Sequence, residues 1–347
     1  HDLAAAHGPG TGTRVPGAYD LAEGLTYLNH ASIGTVPRPV REAHARYLQA
    51  CETNPWLHVW GGAWRDARER AHAAAARAMG VERSAVAIVR NTTAAFGAAA
   101  NGLPLHSGDE VLFSSLNHIG ASASWDFAAK ARGFTVRRFD FPEADVAALS
   151  SGDVTALHVD QVREGTAALV LPHVDNVYGI RHDVASIARG ARAKGVRWIL
   201  VDGAQSVGMH PVEVASLGVD IYATSAHKWL QAPKGTGLMA LSEAAIEQMR
   251  PLVVSWGHGS TKDTAETFTD FGTRDLAKVL AVGDAIEFHA AHGEGRGEAR
   301  DAHHRRLRKA LAARIEEEGL LSWRSPVPYD DGGPLVAVGL ASGSARV

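Results

Sequence analysis

From residue 85 to residue 245 the chain alternates short apolar runs with helix-forming stretches, and no other feature restricts its fold as much. AVAIVR (85–90), EVLFSS (110–115), FTVRRFDF (134–141), AALVLPHV (167–174), VRWILVD (196–202), DIYATSA (220–226) and GLMAL (237–241) read as strands. NTTAAFGAAANGL opens a helix, and residues 120–132 and 183–194 read as two more. The strands lack period-two polarity, so both of their faces need cover. Parallel strands joined by crossover helices provide it. The pattern predicts an α/β domain built on a mostly parallel, doubly wound sheet.

The flanks read differently. Residues 37–50 and 63–79 are rich in Ala, Arg and Glu and predict helices, with Gly80 as a stop. PWLHVWGG (55–62) lies between them, its tryptophans suited either to an apolar part of a substrate or to a core. Residues 276–318 predict helix apart from HGEGRGE (292–298), which has no preceding strand and so makes a poor nucleotide loop. LVAVGL (335–340) predicts the first strand of a small domain that is incomplete where the chain stops at Val347. The first 25 residues, rich in Gly, Pro and Thr, predict a flexible arm.

Composition excludes several classes of function. A chain of 347 residues suggests about two domains at roughly 100–200 residues each. Its 35 basic and 38 acidic residues leave a net charge of −3, which argues against a nucleic-acid binder. No apolar run approaches the ~20 residues of a membrane span, and the start lacks the pattern of a signal peptide. A single cysteine, Cys51, rules out an internal disulfide and points to a reducing, cytoplasmic compartment. There are 18 histidines but no HExxH, so no metal is expected. No G-x-S-x-G elbow marks a serine hydrolase, and no strand-turn-helix glycine fingerprint marks a dinucleotide enzyme.

Ligands of open α/β sheets bind beyond the carboxyl ends of the strands, so polar residues there are the candidates. Lys228, between His227 and Trp229, is a surface lysine or a buried amine of lowered proton affinity able to form a Schiff base with a carbonyl cofactor. Asp202 ends an apolar strand, where it caps a helix or pairs with a cation such as a protonated pyridine nitrogen. Gln205 fits a capping box or a donor to a ring hydroxyl. Asn91, Thr92 and Thr93 begin a helix, as ordinary caps or as an anion site to which Ser225 and His227 add donors. His118 is either structural or placed to stack on a planar ring.

VDGAQSVG (201–208) followed by TSAHKWLQAPKGTG (224–237) resembles the class V aminotransferase group of fold-type I pyridoxal-phosphate enzymes. The branch most like it surrounds isopenicillin N epimerase, with cysteine desulfurases and other carbon–sulfur lyases as wider relatives. The resemblance runs from LNHASIGTVPRP (28–39) to FGTRDLA (271–277). It implies a large pyridoxal-phosphate domain over 85–275 and a small α/β domain made from residues 26–84 and 276–347. It implies that Lys228 holds pyridoxal 5'-phosphate covalently, that Asp202 pairs with the pyridinium nitrogen, and that Gln205 and Asn176 lie near the ring hydroxyl. His118 matches the stacking position. Thr92, Thr93, Ser225 and His227 match phosphate positions. Thr273 matches one that reaches a neighbouring subunit's phosphate, which implies a homodimer. Asn29, His30 and Gly34 match the border of the substrate pocket.

The implied activity is that of an enzyme on an α-amino acid or related amine, through an external aldimine and an α-carbanion. Elimination of a β-substituent or epimerisation ranks above transamination. A non-catalytic binding module on the same fold is the alternative of another class. No mobile-loop cysteine follows Lys228, which argues against a persulfide-forming desulfurase, and the family's substrate-carboxylate arginine lies beyond the end of this chain.

Overall fold

The computed structural model describes residues 17–142, 146–255, 258–269, 272–292 and 297–340. The arm expected over 1–25 lies outside them up to residue 16, as do residues 293–296 of the glycine-rich stretch. Seven strands form one sheet: β1 (Val86–Val89), β2 (Glu110–Ser114), β3 (Thr135–Phe139), β4 (Thr166–Pro172), β5 (Trp198–Asp202), β6 (Ile221–Thr224) and β7 (Gly237–Leu241). Their order is β1-β7-β6-β5-β4-β2-β3. β7 is antiparallel to both of its neighbours and the other pairings are parallel, so β1 to β6 all run the same way.

The apolar runs need two covered faces, and they have them. Every residue of β1, β2, β4, β5, β6 and β7 is buried, whereas β3, at the sheet edge, is partly exposed. Helices Thr92–Gly102 and Ile119–Arg132 supply Phe96 and Trp125 to the core on one face. Helices Arg65–Met79, Val184–Ala193 and Leu276–Ala291 supply Met79, Ile187 and Val282 to the core on the other. Helices Arg38–Thr53 and Arg65–Met79 both pack on Leu276–Ala291, so segments far apart in sequence share one layer.

Local chemistry fixes the helix ends. Gly80, at φ 62°, closes Arg65–Met79 in the left-handed conformation that a glycine adopts without a Cβ penalty. Asn91, His118 and Asp183 each cap a helix through a side-chain acceptor.

One expectation needs correction, that for LVAVGL, and two further features settle what the pattern left open. β7 is antiparallel, because strand direction is set by its connection and not by its apolar pattern. LVAVGL contributes the second strand of a hairpin, β9 (Val338–Leu340), which pairs antiparallel with β8 (Leu321–Trp323). PWLHVWGG folds as the short helix Pro55–Val59 and its following turn, and Trp56 and Trp60 are 68% and 45% exposed and so lie outside the core. No helix among the described residues is long and apolar enough to cross a membrane.

Four of the buried histidines, His158, His173, His182 and His210, meet in pairs. His158 and His182 meet edge to face at 5.1 Å, as do His173 and His210 at 5.0 Å. Burial lowers the His158 imidazole to about 4, and burial with Arg181 lowers His210 to about 3, from an ordinary 6.5. Below pH 6.5 the unfolded chain therefore binds protons that the folded chain refuses, and stability falls as pH drops towards 4. Urea unfolding at pH 5.5 is expected to show a loss of about 1 kcal/mol per histidine relative to pH 7.5. Equal stability at the two pH values would show that these rings are not held neutral.

Candidate active site

Because β1, β2, β4, β5 and β6 point the same way, their carboxyl ends share one rim. Asn91 and Thr92 follow β1, His118 follows β2, Asp175 follows β4, Asp202 closes β5, and Ser225 to Lys228 follow β6. The antiparallel β7 enters at the same rim, where Thr236 O receives the His227 Nδ1 hydrogen bond at 3.0 Å. A sheet edge thus gathers residues more than 130 positions apart.

Asp202 is buried, and burial pushes its carboxyl above the ordinary carboxylate value. Three groups oppose that shift: the Ala204 N–H, the Lys228 ammonium and the His118 ring. Oδ1 accepts from Ala204 N at 3.0 Å, and Oδ2 accepts no hydrogen bond among the described residues. No helix begins at residue 203, so Asp202 is not a helix cap. From across the rim the Lys228 charge acts on it without a direct contact. Burial lowers the Lys228 amine below its ordinary value, and the nearby Asp202 charge opposes the shift. Lys228 Nζ makes no hydrogen bond or ion pair among the described residues. A half-buried amine and a buried acid with an open oxygen fit a ligand that brings a carbonyl and a cationic nitrogen.

The anion position is equally local. Thr92 Oγ1 and Ser225 Oγ lie 2.8 Å apart, and the Thr92 N–H approaches the same Ser225 oxygen at 3.3 Å. This pair sits at the start of helix Thr92–Gly102, where free N–H groups favour negative charge. Thr93 adjoins the first turn of the next helix, since a Cβ on Gly120 would lie 2.7 Å from its Oγ1. His118 Nδ1 accepts from Gly120 N at 3.0 Å, leaving its ring exposed at the rim. Burial, the largest cause, and then the Lys228 and Lys234 charges lower His227, while its bond to Thr236 O opposes them.

The N-terminal segment lies against these loops. Gly34 N donates to His227 O at 2.8 Å, and a Cβ on Gly34 would stand 2.1 Å from Lys228 O. Gly34 therefore touches the lysine's own backbone, a contact only glycine permits. Lys234 Nζ donates to Gly34 O at 2.8 Å. His30 Nε2 meets Thr35 Oγ1 at 3.0 Å, and Asn29 Oδ1 accepts from Ser32 N at 3.2 Å, so both side chains are used within their own turn. Gln205 donates from Nε2 to Ala31 O at 2.9 Å and accepts on Oε1 from Trp229 Nε1 at 2.7 Å. One Nε2 hydrogen remains for a ligand. Asn176 is exposed one residue beyond the buried Asp175, and Thr273 is exposed before helix Leu276–Ala291.

Sequence reasoning passed over four contributors. Tyr222 packs so closely on Gly203 that a Cβ there would lie 2.1 Å from its ring, and its hydroxyl meets His173 Nδ1 at 2.7 Å. Burial raises the phenol and lowers the imidazole, so the phenol donates. Trp229 and Lys234 hold neighbours in place, as does Arg300. Only the tryptophan gave a local signal, an indole beside the rim lysine. His304 meets the Trp229 ring edge-on, with centroids 5.6 Å apart.

Comparison with known proteins places the chain among enzymes of similar sequence and fold. Isopenicillin N epimerase of Amycolatopsis lactamdurans is 32% identical over 337 residues, covering 90% of this chain and 79% of that protein. A probable cysteine desulfurase of Pseudomonas aeruginosa is 32% identical over 306 residues, covering 84% and 74%. Among solved structures, the cystine C–S lyase C-DES with its product cysteine persulfide aligns at TM-score 0.79 and 22% identity, covering 92% of this chain and 84% of that one. The apo cysteine desulfurase of Thermococcus onnurineus NA1 aligns at 0.75 and 22%, covering 91% and 79%. At that identity the structures establish the shared fold. The family described as aminotransferase class-V matches residues 26–345, and this chain belongs to it.

Proposed function

We propose that this chain is a pyridoxal-phosphate enzyme that acts on an α-amino acid or a related amine, by β-elimination in the manner of a carbon–sulfur lyase or by epimerisation. The observation that carries the reading is the unpartnered Lys228 amine beside Asp202, whose second oxygen is open. When bound, the coenzyme supplies an aldehyde and an electron-accepting ring.

The chain's own residues do the rest. Lys228 Nζ would hold the coenzyme through its aldehyde group and, with a substrate amine in the site, would take the α-proton as general base. Its lowered proton affinity suits both tasks. Asp202 would keep the ring nitrogen protonated, Gln205 and Asn176 would border the ring hydroxyl, and His118 would cover the ring. Thr92, Thr93, Ser225 and His227 hold the phosphate, joined by Thr273 of a neighbouring subunit in a homodimer. Asn29, His30 and Gly34 border the substrate. The same reading groups residues 26–84 with 276–347 as a small domain against the large domain of 85–275, supported by the helices they share. A single free cysteine, Cys51, suits a cytoplasmic enzyme.

Purified protein incubated with a panel of amino acids and with thiol-bearing substrates tests the activity. Released ammonia or thiol marks elimination, inverted configuration marks epimerisation, and a transferred amino group marks transamination and contradicts the proposal. Loss of the phosphate contacts gives an independent check. The pair of changes Ser225→Ala and Thr92→Val is expected to weaken coenzyme binding about tenfold to a hundredfold, the effect of charge-assisted hydrogen bonds. An unchanged Kd would place the anion elsewhere.

A further inference from the structure

Two loops carry the reacting pair: residues 203–210 after β5, which follow Asp202, and residues 225–236 after β6, which contain Lys228. They touch where the Trp229 indole meets the Gln205 amide and, most closely, where Gly208 meets the Trp229–Leu230 backbone. Gly208, at φ +85°, brings its backbone so close that a Cβ would stand 2.9 Å from Trp229 C and from Leu230 N. Arg300, in the first turn of helix Glu298–Glu318, reaches this joint from outside the sheet. Its Nη1 donates to the carbonyl oxygens of both Gly208 and Trp229, and its Nη2 meets His289 Nδ1 at 2.6 Å. One turn further along the same helix, His304 lies against the Trp229 indole. That indole in turn fixes the Gln205 amide.

We propose that Arg300 is a positioning residue, its guanidinium pinning the Asp202 and Lys228 loops together and so setting the distance between acid and amine. A planar, permanently charged fork suits two converging carbonyls, and a single point charge on a flexible stem serves them less well. The inference rests on the pyridoxal-phosphate reading only for its consequence at the coenzyme; the pinning itself stands on the contacts.

The test uses Arg300→Met and Arg300→Lys, with Arg306→Met on the same helix as control. Hydrogen exchange, read by mass spectrometry on the apo and coenzyme-loaded chain, should rise about tenfold in both 203–210 and 225–236 for Arg300→Met, the scale of one charge-assisted hydrogen bond. Peptides from β4 and β5 should be unchanged. Arg300→Lys should recover part of the protection, and Arg306→Met should match the parent. The pH midpoint of the coenzyme absorption band should fall by about half a unit or more in Arg300→Met, because Asp202 then stabilises positive charge less well. Unchanged exchange in both loops, or a rise spread evenly over the sheet, overturns the proposal. If the parent chain takes up no coenzyme, the functional reading fails while the exchange data still decide the pinning.

Discussion

Replacing Lys228 by alanine is expected to reduce turnover by about four orders of magnitude or more, since one amine serves as both nucleophile and general base. The fold should survive. Lys228 Nζ has no partner among the described residues, and burial opposes its charge, so truncation removes a cost as well as a side chain. Thr92, Ser225 and Asp202 remain, and coenzyme should still bind without becoming covalently attached. Lys228→Arg should not rescue the rate, because a guanidinium stays protonated at any working pH. Turnover in Lys228→Ala within tenfold of the parent would remove the lysine from the chemistry. The two roles can be separated by adding a small primary amine to the alanine variant, which should restore proton transfer but not the covalent link.

The second large effect is expected at Asp202. Asp202→Asn keeps the shape and the acceptor for Ala204 N but removes the charge, and kcat should fall about a hundredfold to a thousandfold. A buried carboxylate stabilises a protonated ring nitrogen strongly because little water screens it. The same substitution should leave the apo-protein as stable as the parent or more so. The sign follows from the raised folded pKa: burial disfavours the ionised acid, so at neutral pH the charge costs stability until a cation arrives. Slower turnover with an unchanged or raised apo Tm distinguishes a functional acid from a structural one. An unchanged kcat would reduce Asp202 to a turn-forming residue, and a large drop in apo Tm would make it a structural anchor.

What the sequence made legible was what depends on local pattern. The continuous apolar runs at 167–172 and 198–202 required two covered faces, and β4 and β5 lie at the centre of the sheet. The residues after the strand ends could be placed on one rim because parallel strands leave no other arrangement. GLMAL carries the same apolar signature as its neighbours, and nothing in its five residues marks β7 as antiparallel. Asp202 and Lys228 could be placed on one rim from local context, but that β5 and β6 are adjacent, which brings them close, could not be read there. Trp56 and Trp60 stayed open between core and substrate because aromatic density says nothing of which side a short helix turns to solvent. Arg300 was invisible for a different reason. It acts through two backbone carbonyls, one 71 and the other 92 positions away, and backbone acceptors leave no trace in residue type.

The central claim is that one amine, and not another, receives the coenzyme. Lys234 is the natural competitor, six residues on and also held below the ordinary lysine value by burial and then by Arg41. Borohydride reduction of the coenzyme-loaded chain, followed by proteolysis and mass mapping, decides between them. The account predicts a single stable adduct on the peptide that carries Lys228, absent from Lys228→Ala. An adduct on Lys234, or no adduct after loading, would contradict it.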